Sequence, residues 1–277
     1  MDVAVIGGRG FVGSAVVEEL EETHDVTTVD PRVGGKNHIS ADITDKEQIA
    51  DVLEGFDAVV NLAGLTPMQE PRHVSYEAVH ADGAANVAAA CEEYGARLVH
   101  MSALGADPDA DTAYLRTKGA GREHVLDADV DAVVMEPSII VDTGNELVEL
   151  AERFAPTRVF PRLETRIQPV YRGDVAELFR LAVDGGIDEE VVAIGGPEEM
   201  TMFDLVRRIY NAQGYACHPL PVQSLMSLGL QLSEFVPFVP YGADQARFLR
   251  FDNTVEENDA ADYVDLTSID EWLASAF

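Results

Sequence analysis

Lysine is nearly absent from this chain. Among 277 residues only Lys36, Lys46 and Lys118 are lysines, against 16 arginines. Basic residues total 19 and acidic ones 50, a formal net charge of −31. With no basic stripe to neutralise phosphates, nucleic acid is not an expected partner. Cysteine is scarce as well: Cys91 and Cys217 fall in no metal or redox spacing. That excludes a disulfide framework, gives no reason to expect a metal, and suits reduced thiols in a cytoplasmic protein. No apolar run reaches the ~18 residues a membrane span needs. The N-terminus enters a strand-like run at once, without a signal-peptide pattern.

Such an acid excess would suggest disorder if apolar residues were few. Here they make up 47% of the chain and recur from end to end, and the acid is spread over the whole length. The pattern is that of a folded protein with an acidic surface, as in a halophile. At molar salt the Debye length is about 3 Å, so surface self-repulsion is screened. In dilute buffer the same charge destabilises the compact state.

The first half alternates short apolar runs with helical stretches. "DVAVIGG", "DVTTVD", "DAVVNLAG", "ARLVHMSA" and "DAVVMEPS" read as strands. "FVGSAVVEELEE", with Phe11, Val12, Ala15, Val16 and Leu20 inward, "EQIADVLEG", a long segment over roughly 72–94 and the segment holding Tyr114 and Lys118 read as helices. Alternating strands and helices predict right-handed crossovers and a doubly wound parallel sheet of the α/β class. The expected organisation is a core over 1–140, with 141–277 completing the sheet and adding a small C-terminal lobe in one structural unit. In "RGDVAELFRLAV" Asp174 stands where an N-cap belongs, and Thr201 caps the helix of "TMFDLVRRI". The apolar "SLMSLGLQLSEFVPFVP", broken by Pro237 and Pro240, reads as a lid over the C-terminal edge of the sheet.

"VAVIGGRGFVG" places Gly7, Gly10 and Gly13 at three-residue steps, after a strand and opening a helix. The first glycine permits the tight turn, the second lets backbone approach a pyrophosphate, and the third lets helix pack on strand. The helix N-terminus supplies free N–H groups and partial positive charge. This predicts a Rossmann-type dinucleotide site built from Gly7, Gly8, Arg9, Gly10, Phe11, Val12 and Gly13. Asp30 ends the second strand, 17 residues after Gly13. A carboxylate there accepts from the adenosine ribose hydroxyls and repels a 2′-phosphate, favouring NAD over NADP. Arg32 and Lys36 close by could attract that phosphate, which leaves NADP open. In "ADITD", Asp42 beside Ile43 could meet the adenine amino group or simply cap a turn. "NLAG", with Leu62, Ala63 and Gly64, ends the third core strand where a cofactor backbone would pass.

"GGRGFVG", "NLAG", "YLRTK" and "EPSII" stand in an order and spacing that resemble the short-chain dehydrogenase/reductase superfamily, in its extended and atypical branches. "YLRTKGAGREHV", "RIQPVYRGDVA", "GGPEEMTMFDLVRRI" and "DQARFLRFDN" are similar to the NAD(P)H-binding accessory subunit of respiratory complex I and its stand-alone prokaryotic relatives. The resemblance implies a Rossmann core with a C-terminal substrate lobe, and cofactor contacts that include Pro137 and Ser138. It also implies a catalytic Tyr114–Lys118 pair facing the nicotinamide. Residues i and i+4 share a helix face. A neighbouring ammonium and the positive nicotinamide ring would lower the phenol from its usual value near 10. Tyr114 would then be the acid/base, Lys118 its tuner and ribose ligand, and Ser102 the partner that polarises the reacting oxygen.

Two departures bear on the chemistry. Aligned by the strand, the serine slot falls on Ala103, with Ser102 one place early, and successive strand residues face opposite ways. His80 stands where extended members carry an asparagine, as a proton relay or as a satisfied buried histidine. Two functions therefore compete. One is an NAD-dependent oxidoreductase, epimerase or dehydratase acting on a hydroxyl or carbonyl of a small substrate held by 141–165 and 215–250. The other is a non-catalytic dinucleotide-binding accessory, assembly or redox-sensing protein associated with a respiratory complex.

Overall fold

The unbroken apolar runs become strands buried on both faces. In β1 (Asp2–Ile6) every residue after Asp2 is buried, the mark of a parallel strand covered by helices on each side. The computed structural model of the chain describes residues 1–32, 34–67, 73–220, 247–248 and 250–277. After β1 come α1 (Phe11–Glu21), β2 (Asp25–Asp30), β3 (His38–Ser40), α2 (Lys46–Leu53) and β4 (Ala58–Asn61). A turn of π-helix (Glu77–Asp82) runs into α3 (Gly83–Tyr94), followed by β5 (Arg97–Met101), α4 (Ala113–Leu126) and β6 (Ala132–Pro137). The second half holds β7 (Ile140–Val141), α5 (Glu146–Phe154), β8 (Val159–Pro161), β9 (Arg166–Ile167), β10 (Val170–Tyr171), α6 (Arg172–Val183), β11 (Val191–Ile194), β12 (Met200–Thr201), α7 (Met202–Ala212), β13 (His218–Leu220) and α8 (Ile269–Ala276).

The expected doubly wound sheet is present. Its seven strands run β11-β6-β5-β4-β1-β2-β3, and every pairing is parallel. The order reverses between β1 and β4, so the ligand crevice of this architecture lies at their C-terminal ends. On one face Val3, Val5 and Val60 pack with Val16 and Leu20 of α1 and Leu178 and Phe179 of α6. On the other, Ala4, Ile6, Val59 and Leu98 pack with Ile49 of α2, Val87 of α3 and Val125 of α4. A third core joins α5, α7 and α8 around Phe160, Ile167, Tyr210 and Trp272.

Two expectations change. Asp174 does not cap α6, whose N-cap is Tyr171. Asp174 lies in the first turn, where its carboxylate accepts from the Thr267 N–H and hydroxyl, each at 2.7 Å. It ties the returning tail to α6, a partner too distant in sequence to be foreseen. The long helix expected over roughly 72–94 is helical from Tyr76, and its first turn is π; Arg72 lies outside the described residues. The apolar 224–240 segment also lies outside them. Residues 253–277 return along the sheet, where Asp259 accepts from the Ala193 N–H at 2.8 Å and Asn258 from Gly195 N–H at 3.0 Å. Thr201 does cap α7, accepting from Asp204 N–H at 3.1 Å. Among the described residues no helix is long and apolar enough to cross a membrane, and no cluster of side chains could hold a metal ion.

Candidate functional site

The glycines of the first loop are held by close contacts. Gly7 has φ +75°, and a Cβ there would lie 3.0 Å from the Ala63 nitrogen and the Leu62 carbonyl carbon. A Cβ on Gly13 would stand 2.2 Å from the Gly7 carbonyl oxygen. Gly10 is the N-cap of α1, with no side-chain cap and no acid in the first turn, so the terminal N–H groups face outward unneutralised. Val12 is buried in the core, and Phe11 packs beneath the Arg172 guanidinium, 5.0 Å above its ring.

Asp30 stands at the end of β2, 4% exposed. One carboxylate oxygen accepts from the Arg32 backbone at 2.9 Å and the Arg32 Nε at 3.1 Å. The other is buried without a hydrogen-bond partner, with the Arg9 Nε 3.9 Å away. Arg9 is turned toward this corner and donates to the Gly34 carbonyl at 3.0 Å. Asp42 takes the turn-capping alternative: it accepts from the Thr44 N–H at 3.0 Å and hydroxyl at 2.8 Å. Ile43 is buried against Gly83. Leu62 is buried, Ala63 half-buried and Gly64 exposed. Pro137 ends β6, and the Ser138 hydroxyl donates to Asn253, binding the C-terminal segment to the sheet edge.

Helix α4 starts at the Thr112 cap and carries the tyrosine–lysine pair. Tyr114 is half-buried, and its ring meets three others edge-on: Tyr76 at 6.0 Å, His80 at 5.5 Å and Phe248 at 5.5 Å. Burial first, then the neighbouring Tyr76 phenol, push its pKa above the usual value. This is opposite to the lowering expected from the lysine. Lys118 is 3% exposed, and its ammonium donates to the Met101 carbonyl at 2.9 Å. Burial lowers its pKa to about 8. Ser102 is buried, its hydroxyl 3.5 Å from the Lys118 carbonyl, and Ala103 follows. His80 is the satisfied histidine of the two alternatives, with protein partners on both nitrogens. Tyr76 enters this site with no motif to announce it, and Phe248 comes from the "DQARFLRFDN" stretch, which did not single it out for the site; only folding brings both to α4.

Sheet order and glycine loop define the class, a Rossmann-type α/β protein of dinucleotide-binding form. Residues 3–125 match the model of the NAD dependent epimerase/dehydratase family. It is 28% identical to the mitochondrial NADH dehydrogenase [ubiquinone] 1 alpha subcomplex subunit 9 of Arabidopsis thaliana, over 92% of this chain and 71% of that protein. It is 27% identical to a dTDP-4-dehydrorhamnose reductase of Mycolicibacterium smegmatis, over 76% of this chain and 69% of that one. Among solved structures, the Bordetella bronchiseptica enzyme WbmG in complex with NAD and UDP superposes with a TM-score of 0.69 at 17% identity, covering 98% of this chain and 92% of that one.

Proposed function

We propose that this protein binds a nicotinamide adenine dinucleotide across the C-terminal ends of β1 and β4, NAD(H) ahead of NADP(H). In this reading Tyr114 and Lys118 serve proton transfer at a hydroxyl or carbonyl of a small substrate. The observation that carries it is Asp30, a buried carboxylate with one oxygen that no hydrogen bond satisfies, beside a loop where a Cβ on Gly7 or Gly13 would press on backbone. Such an oxygen is an acceptor for a ribose hydroxyl and a poor neighbour for a 2′-phosphate. The bound dinucleotide would supply the hydride. Tyr114, held protonated by burial, is poised as the acid for a carbonyl oxygen, and Lys118 beside Gly64 is placed to hold the nicotinamide ribose. The dTDP-4-dehydrorhamnose reductase relative and the neighbour crystallised with NAD and UDP make sugar nucleotides the first substrates to try. Two unpaired thiols support a cytoplasmic location.

The accessory reading has its own support. Ala103 provides no hydroxyl, three rings enclose Tyr114, and NADH dehydrogenase subunits are among the relatives. One experiment separates the two. Calorimetry with NADH and NADPH on wild type and Asp30→Ala is followed by nicotinamide absorbance over a panel of ketones, alcohols and sugar nucleotides. NADH is expected to bind the tighter, with the preference relaxed in Asp30→Ala; tighter NADPH in wild type would overturn the assignment. Turnover that vanishes in Tyr114→Phe with cofactor affinity retained supports the enzyme. Binding without turnover over the whole panel supports the accessory role.

A further inference from the structure

His80 lies in the π-helical turn that leads into α3 and is 1% exposed. π-turns inside helices gather at functional positions. The Leu65 backbone N–H donates to its Nε2 at 2.9 Å. A nitrogen that accepts carries no proton, so the proton of the neutral ring is on Nδ1, which donates to the Thr117 Oγ1 at 3.0 Å. The Thr117 hydroxyl in turn donates to the Ala113 carbonyl at 2.9 Å. Burial, then Lys118 and His100, hold the ring neutral, with a pKa lowered to about 2.

The two partners belong to different parts of the candidate site. Leu65 follows the Leu62–Gly64 stretch whose backbone abuts Gly7 of the glycine loop. Thr117 sits between Tyr114 and Lys118 on α4. A Cβ on Gly64 would stand 3.3 Å from the Lys118 Nζ and 3.7 Å from the His80 Nε2. Helix α4 comes so near that a Cβ on Gly121 would lie 2.0 Å from the His80 carbonyl oxygen. The imidazole also meets the Tyr114 ring edge-on at 88°.

We infer that His80 is a positioning residue: a single Nδ1–H imidazole fastens the 62–65 loop to the helix that carries Tyr114 and Lys118. Dinucleotide affinity and the placement of the tyrosine then depend on one ring. This role rests on the dinucleotide reading above. It differs from a proton relay, since both nitrogens are committed to protein groups that do not exchange with substrate.

The test uses NADH calorimetry and 15N spectra of the histidine rings on the full chain. His80→Phe keeps the ring and its edge contacts but loses both hydrogen bonds. Thr117→Val removes only the acceptor. Each is expected to weaken NADH about tenfold, the scale of one lost buried hydrogen bond. The double variant should be no weaker than His80→Phe alone, and Thr117→Ser, which keeps the hydroxyl, should restore affinity. In wild type one ring should remain in the Nδ1–H form from about pH 5 to 8, and its signal should vanish in His80→Phe. The spectrum reads the tautomer directly and does not depend on how well the variants fold. A His80 ring, identified by its loss in His80→Phe, that is Nε2–H or titrates in that range, or variants that bind NADH as wild type does, would overturn the role while leaving the dinucleotide reading intact. A wild type that binds no NADH would overturn both.

Discussion

Lys118 is the one lysine of three that the fold takes inside; Lys36 and Lys46 are exposed. Its motif was legible because a Tyr-x-x-x-Lys spacing is local. Its chemistry was not, because burial and the Met101 carbonyl come from folding. With so few lysines, 13C-labelled lysine gives a spectrum of three Cε signals. One of them, absent in Lys118→Met, is expected to titrate near pH 8; a midpoint at the ordinary value would show that the ammonium is not desolvated. Two histidines add a pH dependence of stability. Burial lowers His80 to about 2 and His100 to about 3, from 6.5. Below pH 6.5 the unfolded chain takes up protons that the folded chain refuses, so stability falls as pH falls, by about 1.4 kcal/mol per pH unit for each ring. Urea unfolding at molar salt, at pH 7 and pH 5.5, should show this loss, reduced in His80→Phe. The high salt matters, since protonation of surface carboxylates would otherwise relieve repulsion and act in the opposite direction.

Among elements, the β1–loop–α1 unit is where sequence and structure agree most closely. Its strand, glycine steps and helix are contiguous, so backbone sterics alone specify them. Its glycines are not equivalent. A Cβ on Gly13 would strike the Gly7 carbonyl at 2.2 Å, whereas on Gly10, with φ −80°, the nearest atom would be 3.2 Å away. Gly13→Ala is therefore expected to lose about 2 kcal/mol of stability, as overpacked sites do, and to lose NADH binding with it. Gly10→Ala should unfold nearly as wild type does yet bind NADH at least about tenfold more weakly, because its methyl stands where backbone meets pyrophosphate. Equal melting of the two variants would contradict this distinction. The C-terminal elements were read less well. Asp174 has the residue type of a cap, but it binds Thr267 instead. A cap and a tail anchor look alike until the tail is in place.

For the whole molecule, charge dominates. At −31, carboxylates repel one another over about 10 Å at 0.1 M salt and only about 3 Å at 1 M. The melting temperature is expected to rise steeply with salt over that range. NADH should raise it further at every concentration, since a ligand of the native state alone stabilises by mass action. A melting temperature that is flat or falls with added salt would refute the acidic-surface argument. Composition, periodicity and the glycine steps determined by themselves the α/β class, the parallel sheet, the loop for a dinucleotide and the tyrosine–lysine pair. All of these are legible in local pattern, through backbone sterics, helical or strand repeat and the alternation of strands with helices. Only the tertiary structure decided that Arg9 turns to the β2 corner and that Tyr114 is ringed by Tyr76, His80 and Phe248. It alone fixed which nitrogen of His80 holds the proton. These depend on side chains from segments far apart in the chain, and on a burial that moves a phenol or an ammonium more than any neighbour in sequence does.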